Sequence, residues 1–298
     1  SFAGGTSDGA NPEAPLIMDS AGNLYGTTEY GGQYNYGTVF KISADGTESV
    51  LYSFAGSGTD GEYPVAGLVM DGAGDLYGTT ANGGTAGEGT VFKISGGGTE
   101  SVLYSFALAA GSNPAAALII DSAGNLYGTT TAGGAHGDGT VFELSAAGTE
   151  SVLYSFSGGT TDGSKPAAAL VMDGAGNFYG TTESGGAYGN GAAFELSAGG
   201  AESILHSFGQ GWDGISPSAP LIRDSSGNLY GTTPQSGFLG GGTVFKLAAD
   251  GTETIVHSFS GTDGQNPVGG LVMDSAGNVY GTTQYGGANG EGAVFEIN

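Results

Sequence analysis

Asp19-Ser20-Ala21-Gly22-Asn23-Leu24-Tyr25-Gly26-Thr27-Thr28 is the stretch on which the reading of this chain turns. It returns as DGAGDLYGTT from Asp71, DSAGNLYGTT from Asp121, DGAGNFYGTT from Asp173, DSSGNLYGTT from Asp224 and DSAGNVYGTT from Asp274. The spacings between these aspartates are 52, 50, 52, 51 and 50 residues. A fixed period of this size marks a propeller, a solenoid or an array of small units, none of which buries a core alone. Six copies in 298 residues therefore predict one closed domain over residues 1–298.

Working outward from the aspartate, each period holds four short strand candidates. Strand a is the apolar run before it, residues 14–18 in the first copy, and strand b is residues 23–28. Strand c is residues 37–42 and strand d residues 47–54. Four strands in about 50 residues, six times over, predict an all-β, six-bladed propeller, with a solenoid as the runner-up. Strand a reads as continuously apolar, which is what burial on both faces requires. Asp-x-x-Gly-Asn supplies a turn between a and b. Asp45-Gly46, Gly97-Gly98, Gly199-Gly200 and Asp250-Gly251 supply the c–d hairpins. Gly26 beside Thr27-Thr28 predicts a place where packing is close.

Strand d is complete five times, and its sixth counterpart is only Ser1-Phe2, while residues 292–298 end on strand c. The last blade is thus expected to be incomplete, or closed by the N-terminal stub. The chain opens in mid-pattern, as a mature product or a fragment would. A fragment, a three-stranded blade and a strand donated by a neighbour all fit, since a bare strand edge invites pairing.

Composition narrows the partners. Glycine is 63 of 298 residues, about three times ordinary usage, with no Gly-X-Y period and no excess of proline, which excludes collagen. Twenty-nine acidic residues against five basic give a formal charge of −24. Lys41, Lys93, Lys165, Arg223 and Lys246 are too scattered for a basic patch, so nucleic acid and membrane insertion are not expected. The absence of cysteine removes disulfides and thiolate chemistry.

The unit F-x-G-x-x-DG-x-x-P-x-A-x-L-x-M-D-x-x-GNLYGTT…GG…G-T-V-F-K-I…GTE-S-V-L-Y-S-F resembles the Gloeobacter/Verrucomicrobia (GloVer) tandem-repeat family over essentially the whole chain. Its Pro-x-x-x-Leu-x-x-Asp-x-x-Gly-Asn-x-Tyr order is also similar to NHL propeller repeats. The resemblance implies a propeller with strand a innermost, a secreted or surface location, and no catalytic residue.

Two constellations are candidates for chemistry. Asp8, Asp60, Asp162, Asp213 and Asp263 each precede a glycine in the d–a loops. On one rim of a propeller they would form a negative funnel able to hold Ca²⁺ through oxygen ligands. The plainer reading makes each a turn residue bonded to its own backbone. The repeat aspartates and the Gly-Thr-Glu glutamates (Glu48, Glu100, Glu150, Glu202, Glu253) read as turn caps and solvated strand starts, too alike to divide into acid and base. The second constellation is the b–c loops, where the copies differ most. Tyr30, Tyr34, Tyr36, His136, Tyr188, Phe238 and Tyr285 lie there, and Trp212-Asp213 in a d–a loop is expected on the same face. Aromatic faces beside carboxylates and amides suit a sugar ring, or else pack the loops. His206 and His257 replace strand-d tyrosines and read as structural, and Arg223 as the partner of a neighbouring acid. The sequence thus predicts an extracellular, non-enzymatic binding or structural propeller that self-associates through its incomplete blade. A glycan-binding, lectin-like propeller is the alternative, and a polysaccharide-active enzyme the third reading.

Overall fold

The computed structural model describes residues 1–56 and 58–298. Its fold is the six-bladed β-propeller, with strands and turns and no helix among the described residues. Two compact units divide it, Ser1–Ser155 with blades 1 to 3 and Phe156–Asn298 with blades 4 to 6.

In blade 1 the order a–b–c–d is Ile17–Met18, Leu24–Thr28, Thr38–Ile42 and Glu48–Ser53, each antiparallel to the next. Blade 5 repeats it as Ile222–Arg223, Leu229–Thr233, Thr243–Leu247 and Glu253–Ser258. The register is fixed: Leu24 faces Ile42 and Thr28 faces Thr38, as Leu229 faces Leu247 and Thr233 faces Thr243. Every complete c–d pair carries one bulge at the same place, between Val39 and Phe40 in blade 1 and between Val244 and Phe245 in blade 5. Blade 6 has three strands, Val272–Met273, Val279–Thr283 and Ala293–Ile297.

The a–b turn is made by the repeat aspartate. Asp19 Oδ1 accepts hydrogen bonds from the Ala21 and Asn23 amides, both 2.9 Å, and Oδ2 from Asn23 Nδ2 (2.7 Å) and the Tyr25 hydroxyl (3.1 Å). The bonds from Asn23, side chain then backbone, hold this carboxyl at about 2. Those four bonds explain the spacing of Asp, Asn and Tyr, which every copy keeps except the second, where Asp75 replaces the asparagine.

Gly26 is required by what packs on it: a Cβ there would come within 2.6 Å of Leu16 and 2.7 Å of the Phe40 ring. Within each unit that phenylalanine of strand c meets the phenylalanine ending strand d of the preceding blade. Phe54 meets Phe92 edge-on at 5.0 Å and Phe106 meets Phe142 at 4.9 Å. In the other unit Phe208 meets Phe245 at 4.9 Å and Phe259 meets Phe295 at 5.0 Å. Burying such a ring is worth about 1.5–3 kcal/mol, and an edge-to-face pair adds about 0.5–1.5 kcal/mol. The threonines of strand b pin the same junctions, Thr27 donating to the Ala66 carbonyl (2.9 Å) and Thr79 to that of Ala116 (3.3 Å).

Strand a differs from the expected five-residue run, since only its last two residues form a ladder. The first part packs without pairing: Ala66 and Leu68 are buried, and the Ala66 carbonyl serves the neighbouring blade's threonine in place of a strand. Burial on both faces also fails in blade 1, where Leu16 and Met18 are exposed.

Candidate functional site

The d–a and b–c loops run side by side on every blade. Gly9–Ala10 pairs with Tyr30–Gly31, Gly61–Glu62 with Asn82–Gly83, and Gly163–Ser164 with Ser184–Gly185. Single bridges, Ile215 to Gln235 and Gln265 to Tyr285, do the same in blades 5 and 6. Variable b–c residues therefore sit against the aspartate-bearing loops, a pairing too short to see as a strand pattern.

Each of those aspartates is hydrogen-bonded within its own loop. Asp60 accepts from the Ala55 and Gly61 amides at 2.6 and 2.7 Å and from the Tyr52 hydroxyl at 3.0 Å. Asp8 accepts from the Ala3 and Gly9 amides, and Asp162 from the amides of Ser157 and Gly163. Asp213 accepts from the Gly209 amide and pairs with His206 (3.0 Å), and Asp263 accepts from Ser260 and pairs with His257 (2.8 Å). Each carboxylate closes its own loop, and those of Asp60, Asp213 and Asp263 also tie it to strand d. Among the described residues no group of three or more His, Asp or Glu side chains is placed to hold a metal ion.

Glu48 is exposed, as expected of a solvated strand start, and the later strand-d glutamates are not. One carboxylate oxygen of Glu100, Glu150 and Glu253 is buried without a hydrogen-bond partner. Burial, and then the charge of Asp60, pushes the Glu100 carboxyl up to about 7, and burial with Asp213 does the same to Glu253. Burial raises Glu150 as well, against a bond from the Tyr104 hydroxyl. Glu100, Asp60, Tyr52 and Tyr104 line an open cleft of about 600 Å³ between blades 1 and 2. Two carboxylates in unlike surroundings therefore line one cleft at a blade junction. The repeat hid this because the partners come from different copies.

The aromatic candidates gather in two places, one in each unit. Trp212 and Phe238 meet edge-on at 5.3 Å, and the two residues are 61% and 63% exposed. The loop bearing Phe238 also walls a cleft of about 430 Å³, lined by Gln235, Ser236, Gln265, Asn266 and Tyr285. In the first unit Tyr30 and Tyr36 converge on Tyr63 at 5.4 and 5.7 Å, with Glu29 raising the Tyr30 phenol through a hydrogen bond. Tyr34, His136 and Tyr188 are exposed on their loops.

Tyr63 escaped the sequence reading. It stands at a repeat position that always precedes a proline and always has positive φ: Asn11, Tyr63, Asn113, Lys165, Ser216 and Asn266, at 55° to 63°. Asparagine tolerates that backbone, and tyrosine and lysine are strained there. A bulky residue at an asparagine position was the available signal. Arg223 also departs from expectation, lying 5.9 Å over the Tyr179 ring instead of bridging to an acid.

The sequence matches the Gloeobacter/Verrucomicrobia repeat over residues 1–175 and 120–298. The chain belongs to that family. No curated protein matches it in sequence. Solved structures share its fold. Virginiamycin B lyase from Staphylococcus aureus superposes with a TM-score of 0.62 at 13% identity, over 97% of this chain and 85% of the lyase. A gluconolactonase from Xanthomonas campestris gives 0.56 at 16% identity, over 99% and 87%. PorZ, a bacterial surface component of the type-IX secretion system of Porphyromonas gingivalis, gives 0.58 at 16% identity, over 99% of this chain and 40% of PorZ. The expectation that set enzymatic activity aside is corrected here, because two of these neighbours are enzymes. At such identities the likeness is one of fold.

Proposed function

We propose that this chain is a surface-exposed propeller that binds carbohydrate through the loops of blades 5 and 6. The observation that carries the reading is the exposed Trp212–Phe238 pair, whose phenylalanine stands on the loop that also walls the amide-lined cleft. Aromatic rings out in solvent cost free energy unless something apolar covers them, and a sugar's CH face does so while its hydroxyls need amides. Gln235, Gln265, Asn266 and the Tyr285 hydroxyl supply those partners without a net charge. The five basic residues leave little for an anionic ligand, so a neutral glycan fits best. PorZ is named as a surface component, which supports the surface location, and no helix among the described residues is long and apolar enough to cross a membrane.

Glycan-array binding followed by titration of the hits tests this. Trp212→Ala is expected to weaken binding by about 2 kcal/mol, near thirtyfold, with thermal melting unchanged because the ring is exposed. No saturable binding to any neutral glycan, or unchanged affinity in both Trp212→Ala and Phe238→Ala, would overturn it.

A further inference from the structure

The tyrosines gathered in the first unit stand in surroundings unlike those of the Trp212–Phe238 pair. Tyr30 and Tyr36 come from one b–c loop and Tyr63 from the d–a loop that follows. Both rings are inclined to that of Tyr63, by 66° and 62°. Tyr36 and Tyr63 are half-buried and Tyr30 is exposed, so the three rings stand as inclined walls, one of them in solvent.

Amides line the cleft beside Phe238, whereas carboxylates surround these rings. Asn11 Nδ2 donates to Glu29 (2.6 Å) and to Glu13 (3.1 Å), drawing those two acids together. A hydrogen bond with Glu29 and then its charge raise the Tyr30 phenol, with a smaller part from Glu13. Burial and then the charge of Glu62 raise that of Tyr63. Among the described residues none of these three carboxylates forms an ion pair.

The chain shows elsewhere what such a tyrosine attracts. Four of its five cations lie over a tyrosine ring: Lys41 over Tyr25 at 5.7 Å, Lys93 over Tyr77 at 5.3 Å, Arg223 over Tyr179 at 5.9 Å and Lys246 over Tyr230 at 5.5 Å. Each of those tyrosines donates its hydroxyl to a carboxylate, that of Asp19, Asp71, Asp173 and Asp224 in turn. The ring's negative face and the charge beside it act together on the cation. Tyr30 repeats the arrangement with Glu29 and adds two further rings. Among the described residues no cation of the chain lies over any of the three. The backbone is a separate sign: Tyr63 keeps a φ of 58° where three other copies have asparagine. Strain of that kind collects at ligand sites.

We propose that Tyr30, Tyr36 and Tyr63 form a cage for a small alkylammonium ion, with Glu13, Glu29 and Glu62 supplying the opposite charge. The ion's alkyl shell covers the exposed ring while its charge meets the ring faces, which a strongly hydrated inorganic cation does not do. A molecule of charge −24 also gathers cations at its surface. The cage shares no residue with the glycan loops of blades 5 and 6, so either can fail without the other.

The test titrates the full chain calorimetrically with choline, and with neohexyl alcohol, in which carbon replaces the charged nitrogen. Choline is expected to bind saturably at one site, and the uncharged isostere to bind weaker by about tenfold or more. Tyr63→Asn installs the residue that three other copies carry, so the melting temperature should hold or rise while choline affinity falls by about fivefold or more. Tyr30→Leu and Glu29→Gln are expected to weaken binding to a similar extent. Tyr188→Leu, at an exposed tyrosine of blade 4, is expected to leave it unchanged. Absence of saturable choline binding, equal affinity for the uncharged isostere, or an equal loss in Tyr188→Leu would overturn the proposal. So would unchanged affinity in both Tyr30→Leu and Tyr63→Asn.

Discussion

Blades 5 and 6 are built from nearly the same words and end in different states. Thr243-Val244-Phe245-Lys246-Leu247 and Ala293-Val294-Phe295-Glu296-Ile297 have the same inner partner in the same register. Yet Phe245 and Leu247 are buried, while Phe295 and Ile297 are only half-buried and Val294 stands in solvent. The difference teaches that burial in this fold is conferred by the outer strand, and that a strand's own apolar residues do not secure it. Propensity makes the strand, and neighbours make it core.

The sharpest way to break the comparison is to put a charge at the same position in both blades. Val244→Asp should destabilise the chain by more than about 4 kcal/mol, because the carboxylate has neither water nor a partner. Val294→Asp should stay within about 0.5 kcal/mol of the parent. Urea unfolding of the two variants reads the contrast directly, and equal losses would erase the distinction.

A gentler probe is the glycine under each phenylalanine. A Cβ on Gly231 would meet the Phe245 ring at 2.5 Å and Leu221 at 2.7 Å, and one on Gly281 would meet Phe295 at 2.4 Å. Phe245 is enclosed and Phe295 has room on its open side. Gly231→Ala should therefore cost about 1–3 kcal/mol and Gly281→Ala clearly less.

The third probe uses the buried glutamates that open strand d in blades 2 and 5. Glu100 and Glu253 sit near 7 in the folded chain against an ordinary 4.5, so the folded state holds protons that the unfolded state has released. Their contribution is fully present below pH 4.5 and is lost as pH rises through 7. Melting temperature should accordingly fall between pH 5 and pH 8. Glu253→Gln should raise it at pH 8 and flatten the slope, and a steeper slope in that variant would refute the assignment.

The smallest expected effect concerns the strained position before proline. Blade 6 has Asn266 there and blade 4 has Lys165, exposed, at φ 60° and 59°. Lys165→Asn should stabilise by about 0.5–1 kcal/mol, measurable as a rise in the denaturation midpoint.

The period, the blade count and the four strands per blade were legible because every copy says them again. Asp19, Gly22 and Asn23 could be read as one turn because they lie within four residues, while the Tyr25 hydroxyl's bond to Asp19 came only with the structure. The shortness of strand a was not legible: an apolar run looks the same whether its carbonyls meet a strand or the hydroxyl of Thr27 thirty-nine residues away. The site divides along the same line. Trp212 and Phe238 stood out because each breaks the pattern. The meeting of Glu100 with Asp60 was invisible, since both are ordinary members of the repeat and only the stacking of blades brings them near. Tyr63 was hidden by a backbone requirement that asparagine normally meets unnoticed.

Amide hydrogen exchange of the chain alone tests the central claim, that the outer strand decides what is core. Residues 243–247 are predicted to exchange only through large-scale opening, and residues 293–297 faster by about a hundredfold or more, through local fraying of the open edge. Equal protection of the two strands would contradict it.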